Sequence, residues 1–530
     1  MALNNKFRSS AIQKLSTQHG LHRYLLATLA GWLLPLSFAP YNYWLITPVA
    51  ITLLLLAIRG GHQKRTLNGK ASDDAHSFKS NAYVGWFFGL GFFGNGASWV
   101  YISIHDFGYT GIPLALILTT LFVMGLALLP ALQIGLFQRM FYPVSPVWSF
   151  PALWVLFEWL RSWLLTGFPW LYVGNSLVDS PISAWLPVGG VYLGSFLLVM
   201  TGSLLFQLIQ KKLKLRTFIA WFVFIFAGGH LLNSIQWTLP STHGPIDVAL
   251  VQGNVDQNEK WQSKHRQRFL QLYHNLSLDI QSSGLVIWPE TAVPLLYRYS
   301  DSYFDSVMAD LPKGTALITG IPQQANPDSD QQPQFYNSIM VKGAGEGLYQ
   351  KQKLVPFGEY VPLESFLRGA ISFFNLPMSN FIAGSEDQPL LIAKGLKIAP
   401  FICYEVVYPE FVRQQAKESD LMVTISNDSW FGHSVGPLQH LQMAQVRAAE
   451  NGRYMLRGTN NGVTAIIDPK GRIQVSAPQF EEAIVRGEVH AMLGHTLFTK
   501  LGSTPILMLC ALVLGIQLIQ RRRQPKLQLF

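Results

Sequence analysis

The chain has 530 residues, 49% of them hydrophobic, 13% aromatic and only 13% charged. A soluble domain carries about 25% charged residues, so the deficit excludes an ordinary water-soluble protein and points to a bilayer. The net charge of +10 does not mark a nucleic-acid binder. The basic residues flank apolar stretches and build no long basic face, which suits anionic lipid headgroups instead.

Apolar runs long enough to cross a bilayer fall near residues 23–39, 42–58, 82–104, 112–137, 145–165, 186–210, 217–236 and 503–520. The first has Lys6, Arg8 and Lys14 before it, as a signal peptide would. It runs on through Trp32 and Pro35 into the second span after a short turn, so a retained helix is expected. Basic residues sit in alternate loops: Arg59, Lys64, Arg65, Lys70 and Lys79; Arg139; Lys211, Lys212, Lys214 and Arg216; and Arg521, Arg522, Arg523 and Lys526. The loops between, such as 40–41 and 105–111, have almost none. The positive-inside rule then places both termini in the cytoplasm and requires eight spans. The predicted organisation is a membrane domain of seven helices over 1–236, a large segment over 237–500 on the opposite side, and a last span with a basic cytoplasmic tail over 501–530.

The segment 237–500 changes character. Short apolar, β-rich runs at 246–253, 284–290, 315–320, 338–343, 397–403, 421–428 and 463–469 alternate with polar helical stretches at 259–282 and 437–452. Several runs are apolar on both faces, as in a sheet covered on each side, so this segment is read as an α/β domain.

Its chemistry centres on cysteine. The chain has two, and Cys510 lies inside the last apolar run. Cys403 is therefore the only thiol of the 237–500 segment, where no internal disulfide can form, and an unpaired cysteine in an oxidising compartment calls for an explanation. It ends the strand-like run K-I-A-P-F-I-C-Y-E (397–405). Two further runs end in possible partners: L-V-I-W-P-E at Glu290, and Y-Q-K-Q-K-L-V-P-F-G-E with Lys351, Lys353 and Glu359. A thiol, a carboxylate and an ammonium from three strand ends suit covalent acyl chemistry, in which the carboxylate takes the thiol proton and the ammonium stabilises an oxyanion. Singly, each has a plain alternative: a P-E turn glutamate, a solvated lysine, a buried core cysteine. The histidines, His433 and His440 among them, lack metal-ligand spacing and read as polar surface residues; no metal and no cofactor is expected.

Together these segments resemble the nitrilase superfamily, whose Glu-Lys-Cys triad comes from three such strand ends. Its Y-x-K-x-x-L pattern selects Lys351 over Lys353. N-D-S-W-F-G (427–432) and R-A-A-E-N-G-R-Y (447–454) also look nitrilase-like. Within the superfamily the chain is similar to the apolipoprotein N-acyltransferase family, through L-V-P-F-G-E-Y-V-P (354–362), I-C-Y-E (402–405), Q-G-N (252–254) with Trp261 downstream, and the flanking membrane runs. The resemblance implies an α-β-β-α sandwich for 237–500, on the periplasmic side of a bacterial inner membrane. It implies that Cys403, Glu290 and Lys351 move an acyl chain from a phospholipid, through a cysteine thioester, to the α-amino group of a diacylglyceryl-modified apolipoprotein. Trp261, Glu359, Tyr404 and Glu405 carry over as supporting or substrate-contacting residues. The aromatic-rich stretch 356–380 is expected to form a lid that dips into the bilayer. Two rivals stand beside this reading. One is a membrane-tethered nitrilase-type amidohydrolase. The other is a transporter, for which Glu158 and Arg161 inside the fifth span are the main candidates.

Overall fold

The architecture comes from a computed structural model, which describes residues 21–59, 78–141, 144–282, 284–326, 333–360 and 380–523. Each expected membrane run contains a helix: α1 (Leu21–Leu33), α2 (Ile46–Arg59), α3 (Phe78–Gly96), α4 (Ile112–Phe141), α5 (Pro146–Arg161), α6 (Leu186–Ile209), α7 (Leu215–Asn233) and, at the far end of the chain, a helix at Thr504–Arg523. Among the described residues, four stretches are long and apolar enough to cross a bilayer: Ile112–Phe141, Ser183–Ile209, Leu215–Asn233 and Thr504–Arg523. On α4 the residues Leu116, Ile117, Leu121 and Leu128 face outward, as do Ile219, Val223 and Leu231 on α7. Large apolar side chains exposed in such rows need a nonaqueous neighbour, and a bilayer supplies one. The other four helices are shorter or richer in glycine; three of them, α1 to α3, adjoin residues outside the described set.

The charged residues of α5 serve the local backbone. Glu158 accepts hydrogen bonds from Trp154 Nε1 (3.0 Å) and the Val173 amide (2.8 Å). Arg161 donates to the Leu171 carbonyl, with its guanidinium between the rings of Phe93 and Tyr172. Both hold the irregular segment that follows their helix, where peptide groups out of reach of water need partners.

The rest of the chain builds two mixed sheets. The strands are β1 (Thr238–Gln252), β2 (Leu285–Ile287), β3 (Ala316–Gln324), β4 (Phe335–Gly343), β5 (Gly345–Glu346), β6 (Leu348–Gln350), β7 (Leu391–Ala393), β8 (Leu396–Ile402), β9 (Leu421–Ser426), β10 (Met455–Thr459), β11 (Ala465–Ile467), β12 (Ile473–Ser476) and β13 (Ala483–Gly494). One sheet runs β13-β1-β2-β3-β4-β6, the other β12-β11-β10-β9-β8-β7-β5. Side chains alternate between faces along each strand. Val248, Leu250, Ile287 and Ile318 of the first sheet share a core with Ile398, Ile402, Val423 and Leu456 of the second. The opposite face of the first sheet packs Val251, Val286 and Leu317 against Phe269 and Tyr273 of α8 (Arg266–Leu278) and Phe304 and Val307 of α9 (Asp301–Asp310).

The outer face of the second sheet is covered by α10 (Pro409–Ala416) and α11 (Gly436–Asn451). There Ala399, Phe401, Met422 and Ile467 join a cluster that continues into Trp170, Leu171, Val191 and the membrane helices. Glu450 of α11, ion-paired with Arg447, accepts from the Val191 amide at 2.7 Å. This contact face is apolar and hydrogen-bonded, so the sandwich is seated on the helices.

Candidate functional site

The candidate residues lie where β2, β6 and β8 end, at one edge of the two sheets. After β2, Trp288 and Pro289 lead into Glu290 and then Thr291, whose φ is +43°. Gly320 of β3 makes room for this turn, since a Cβ there would strike the Thr291 nitrogen. Glu290 is buried, at 8% exposure. Its Oε1 accepts from Asn337 Nδ2 at 2.7 Å and its Oε2 from the Asn427 amide at 2.8 Å.

Lys351, just past β6, is 1% exposed. Its Nζ donates to Glu359 Oε1 at 2.9 Å and lies 3.9 Å from Glu290 Oε1. Glu359 also accepts from Asn337 Nδ2 (3.1 Å) and the Val355 amide (2.9 Å). Asn337 thus bridges two carboxylates that share one ammonium. Lys353, two residues on, is exposed, with its ammonium over the Phe411 ring.

Cys403 follows β8 as the first residue of a helical turn and has φ +52°, a left-handed backbone rare for a side-chain-bearing residue. Glu405 fixes this turn. Its carboxylate takes the Ile402 amide (2.8 Å), the Gln352 and Lys353 amides (2.6 and 3.1 Å) and the Tyr349 hydroxyl (2.9 Å). One buried carboxylate therefore ties the cysteine strand to the lysine loop. Tyr404 points toward the membrane helices and donates to the Gly167 carbonyl at 3.2 Å. Trp261 is 42% exposed and follows the helical turn Gln257–Lys260.

Electrostatics follow from this burial. Desolvation pushes the Glu290 carboxyl up, partly offset by Lys351 and the amide donors. For Lys351, burial pulls down, but Glu359 and Glu290 outweigh it and hold the ammonium above its ordinary range. Burial and then Glu290 push the Cys403 thiol up, and Lys351 pulls it back. Such a thiol rests protonated beside a carboxylate of raised basicity, with an adjacent ammonium to receive negative charge. That arrangement can deprotonate the thiol only as it attacks, and can stabilise the oxyanion that results.

Sequence reasoning missed several partners. Asn337 is one, although its place on β4 opposite β6 puts it between the strand ends. Lys260 is another: it is 1% exposed, and its Nζ donates to the Glu290 carbonyl (3.3 Å) and Thr291 Oγ1 (2.7 Å). Burial brings its pKa down to about 8, against the pull of Glu290. Only its place beside Trp261 in E-K-W could have drawn attention to it. The surface reading of His440 is overturned. His433 is exposed, but His440 is buried in α11 beside Asp428 and Arg457, because α11 lies under the second sheet and its polar side chains face buried partners. One ligand-type atom each from Cys403, Asp428 and His440 lies within 4.8 Å of the others. Both ring nitrogens of His440 are already engaged, and the Arg457 guanidinium opposes a second cation there. Of the expected lid, residues 361–379 lie outside the described residues; Phe357, before them, is exposed.

Two families match. That described as apolipoprotein N-acyltransferase N-terminal domain matches residues 30–204, and that described as carbon-nitrogen hydrolase matches residues 247–496, which makes the two-sheet unit nitrilase-like. The apolipoprotein N-acyltransferase of Azotobacter vinelandii is 44% identical over 96% of this chain and 97% of its own. That of Pseudomonas aeruginosa (strain LESB58) is 45% identical over 95% and 97%. Among solved structures, an amidase from Nesterenkonia sp. AN1 aligns with a TM-score of 0.33 and 17% identity, covering 48% of this chain and 93% of its own.

Proposed function

The chain belongs to the apolipoprotein N-acyltransferase family, and from that premise we propose how its residues carry out the transfer. The observation that carries the proposal is the buried cluster of Glu290, Lys351 and Glu359, whose Glu290 and Lys351 charges both act on the Cys403 thiol. Cys403 is the nucleophile and Glu290 the base. As the thiol proton passes to Glu290, the sulfur attacks the ester carbonyl of a phospholipid acyl chain. Lys351 stabilises the oxyanion, the C–O bond breaks, and the lysophospholipid oxygen leaves with the proton from Glu290. The α-amine of a diacylglyceryl-modified apolipoprotein then attacks the thioester. It gives a proton to Glu290, the C–S bond breaks, and the proton returns to sulfur. No metal or cofactor takes part.

Glu359 holds Lys351 through the 2.9 Å ion pair, Glu405 and Tyr404 hold the nucleophile turn, and exposed Trp261 contacts substrate. The catalytic unit, residues 237–500, is an α-β-β-α sandwich on the periplasmic face of the inner membrane. Seven spans within 1–236 and one within 501–530 anchor it, and the segment 356–380 serves as a lid. The outward apolar rows on α4 and α7 support the membrane setting, and the alternation of basic loops supports the orientation.

The test is an acceptor competition. Purified protein receives phospholipid carrying a labelled acyl chain, with or without a diacylglyceryl-cysteinyl peptide. Label in an amide on the peptide is the expected product. Free fatty acid in both arms, with no labelled peptide, would indicate hydrolysis and reject the transfer mechanism.

A further inference from the structure

The left-handed backbone of Cys403, at φ +52°, persists only if neighbouring groups hold it, because such conformations cost about 1–3 kcal/mol. Glu405 grips the amide before the cysteine, at Ile402. What grips the peptide after it is His440: its Nε2 lies 3.1 Å from the Cys403 carbonyl oxygen. A carbonyl only accepts, so Nε2 carries a hydrogen.

The other ring nitrogen, Nδ1, lies 3.2 Å from Arg457 Nη2 and 3.1 Å from Asp428 Oδ1. Arg457 Nη2 has two hydrogens, and it also meets Asp428 Oδ2 at 2.7 Å. Ser426 Oγ donates to Asp428 Oδ1 at 2.6 Å. At Nδ1 the Asp428 carboxylate can accept and the Arg457 guanidinium can donate, and with either partner the hydrogen on Nε2 stays directed at the Cys403 carbonyl. Burial and the Arg457 charge both hold the His440 pKa below its ordinary value, against the pull of Asp428. The ring is walled by Trp170 from the membrane part and by Phe431, with centroids 5.7 and 6.0 Å away. Asp428, His440 and Arg457 are all at most 1% exposed.

We infer that His440 is a positioning residue for the nucleophile: through its Nε2–H it holds the Cys403 carbonyl, and so keeps the left-handed turn that directs the sulfur toward Glu290 and Lys351. Asp428 and Arg457 hold the ring in the orientation in which it does so. His440 touches neither substrate nor sulfur in this role. The inference rests on Cys403 being the acyl-carrying nucleophile.

The test uses the full chain in detergent with mixed micelles of dioleoyl phosphatidylethanolamine and dioleoyl phosphatidylglycerol. Three quantities are read: the rate of thioester formation by intact mass, the rate of Cys403 alkylation by iodoacetamide, and the melting midpoint. In His440→Gln the amide nitrogen reaches about as far as Nε2 and can donate to the same carbonyl, so acylation stays within about tenfold of wild type. His440→Asn falls one bond short. It loses acylation by about a hundredfold, the penalty typical of a small misplacement of a reacting group, while alkylation and melting change little.

Equal loss in both variants at unchanged melting would overturn the inference, as would no loss in either. Should His440→Asn melt early, His440→Gln decides alone: retained acylation supports the role, and loss at unchanged melting refutes it. A wild-type protein that forms no thioester would instead refute the nucleophile assignment, and this role with it.

Discussion

Replacing Lys351 by Met removes one ammonium from between two buried carboxylates. The Nζ lies 2.9 Å from Glu359 and 3.9 Å from Glu290. At an effective dielectric of about 20 these contacts are worth about 6 and 4 kcal/mol in Coulomb energy. Most of that offsets the desolvation of the three groups, and breaking such a buried pair costs a net of about 3–5 kcal/mol. Without the ammonium, the like charges of Glu290 and Glu359 face one another through Asn337 with nothing between them to offset their repulsion. The oxyanion also loses its donor, worth about a hundred- to a thousandfold in rate. Lys351→Met should therefore lower both the melting midpoint and thioester formation, the latter by at least that factor. The double variant Lys351→Met/Glu359→Gln removes the stranded like charge. It should recover most of the melting loss and none of the rate. Thioester formation by intact mass and thermal unfolding in detergent read the two effects separately. A Lys351→Met protein that acylates within tenfold of wild type would refute the reasoning, as would an exposed Lys353→Met equally damaged.

Glu290 raises the Cys403 thiol pKa by its charge, so Glu290→Gln should move the alkylation midpoint of Cys403 to lower pH while thioester formation falls about 10²–10⁴-fold with the loss of the base; a midpoint moving upward contradicts this. Burial lifts Glu405 from its ordinary 4.5 to about 7. A carboxyl with a folded pKa above its unfolded one adds stability that is fully present below about pH 4.5 and is lost as pH rises through about 7. Melting scans should thus fall more steeply between pH 5 and 8 for wild type than for Glu405→Gln; equal slopes would exclude that contribution. For topology, a reporter active only outside the cytoplasm should be active when fused near residue 300 and silent near residue 70, and the reverse pattern would invert the orientation.

The parts of the fold that were legible in the sequence are those carrying a strong local signal. The apolar runs found their helices, and β1, β2, β3, β4, β8, β9 and β11 overlap the expected strands, because each contains a short apolar run and several of these runs are apolar on both faces. β10 and β13 were missed for a physical reason. M-L-R-G-T holds an arginine that is buried only because Asp428 receives it, and β13 mixes Arg486, Glu488 and His490 into a run that reads as polar. The expected helix 259–282 breaks at Trp261 and resumes at Arg266.

At the site, chemistry-bearing residues at strand ends could be picked out, since a cysteine or P-E dipeptide closing an apolar run is visible locally. Asn337, Lys260 and the Asp428–His440–Arg457 group could not, because what makes each of them important is a partner distant in sequence. His440 lies 37 residues from the carbonyl it holds, and nothing in its own neighbourhood distinguishes it from a surface histidine.

The proposed transfer requires an acyl chain to be carried on Cys403. Wild-type protein and Cys403→Ala are incubated with phospholipid of one defined acyl chain, and intact mass is recorded before and after hydroxylamine. Wild type should gain the mass of one acyl chain, lost on hydroxylamine treatment and mapped to the peptide containing Cys403, while the alanine variant gains nothing. An adduct of the same mass on Cys403→Ala, or a wild-type adduct mapping elsewhere, would contradict the account.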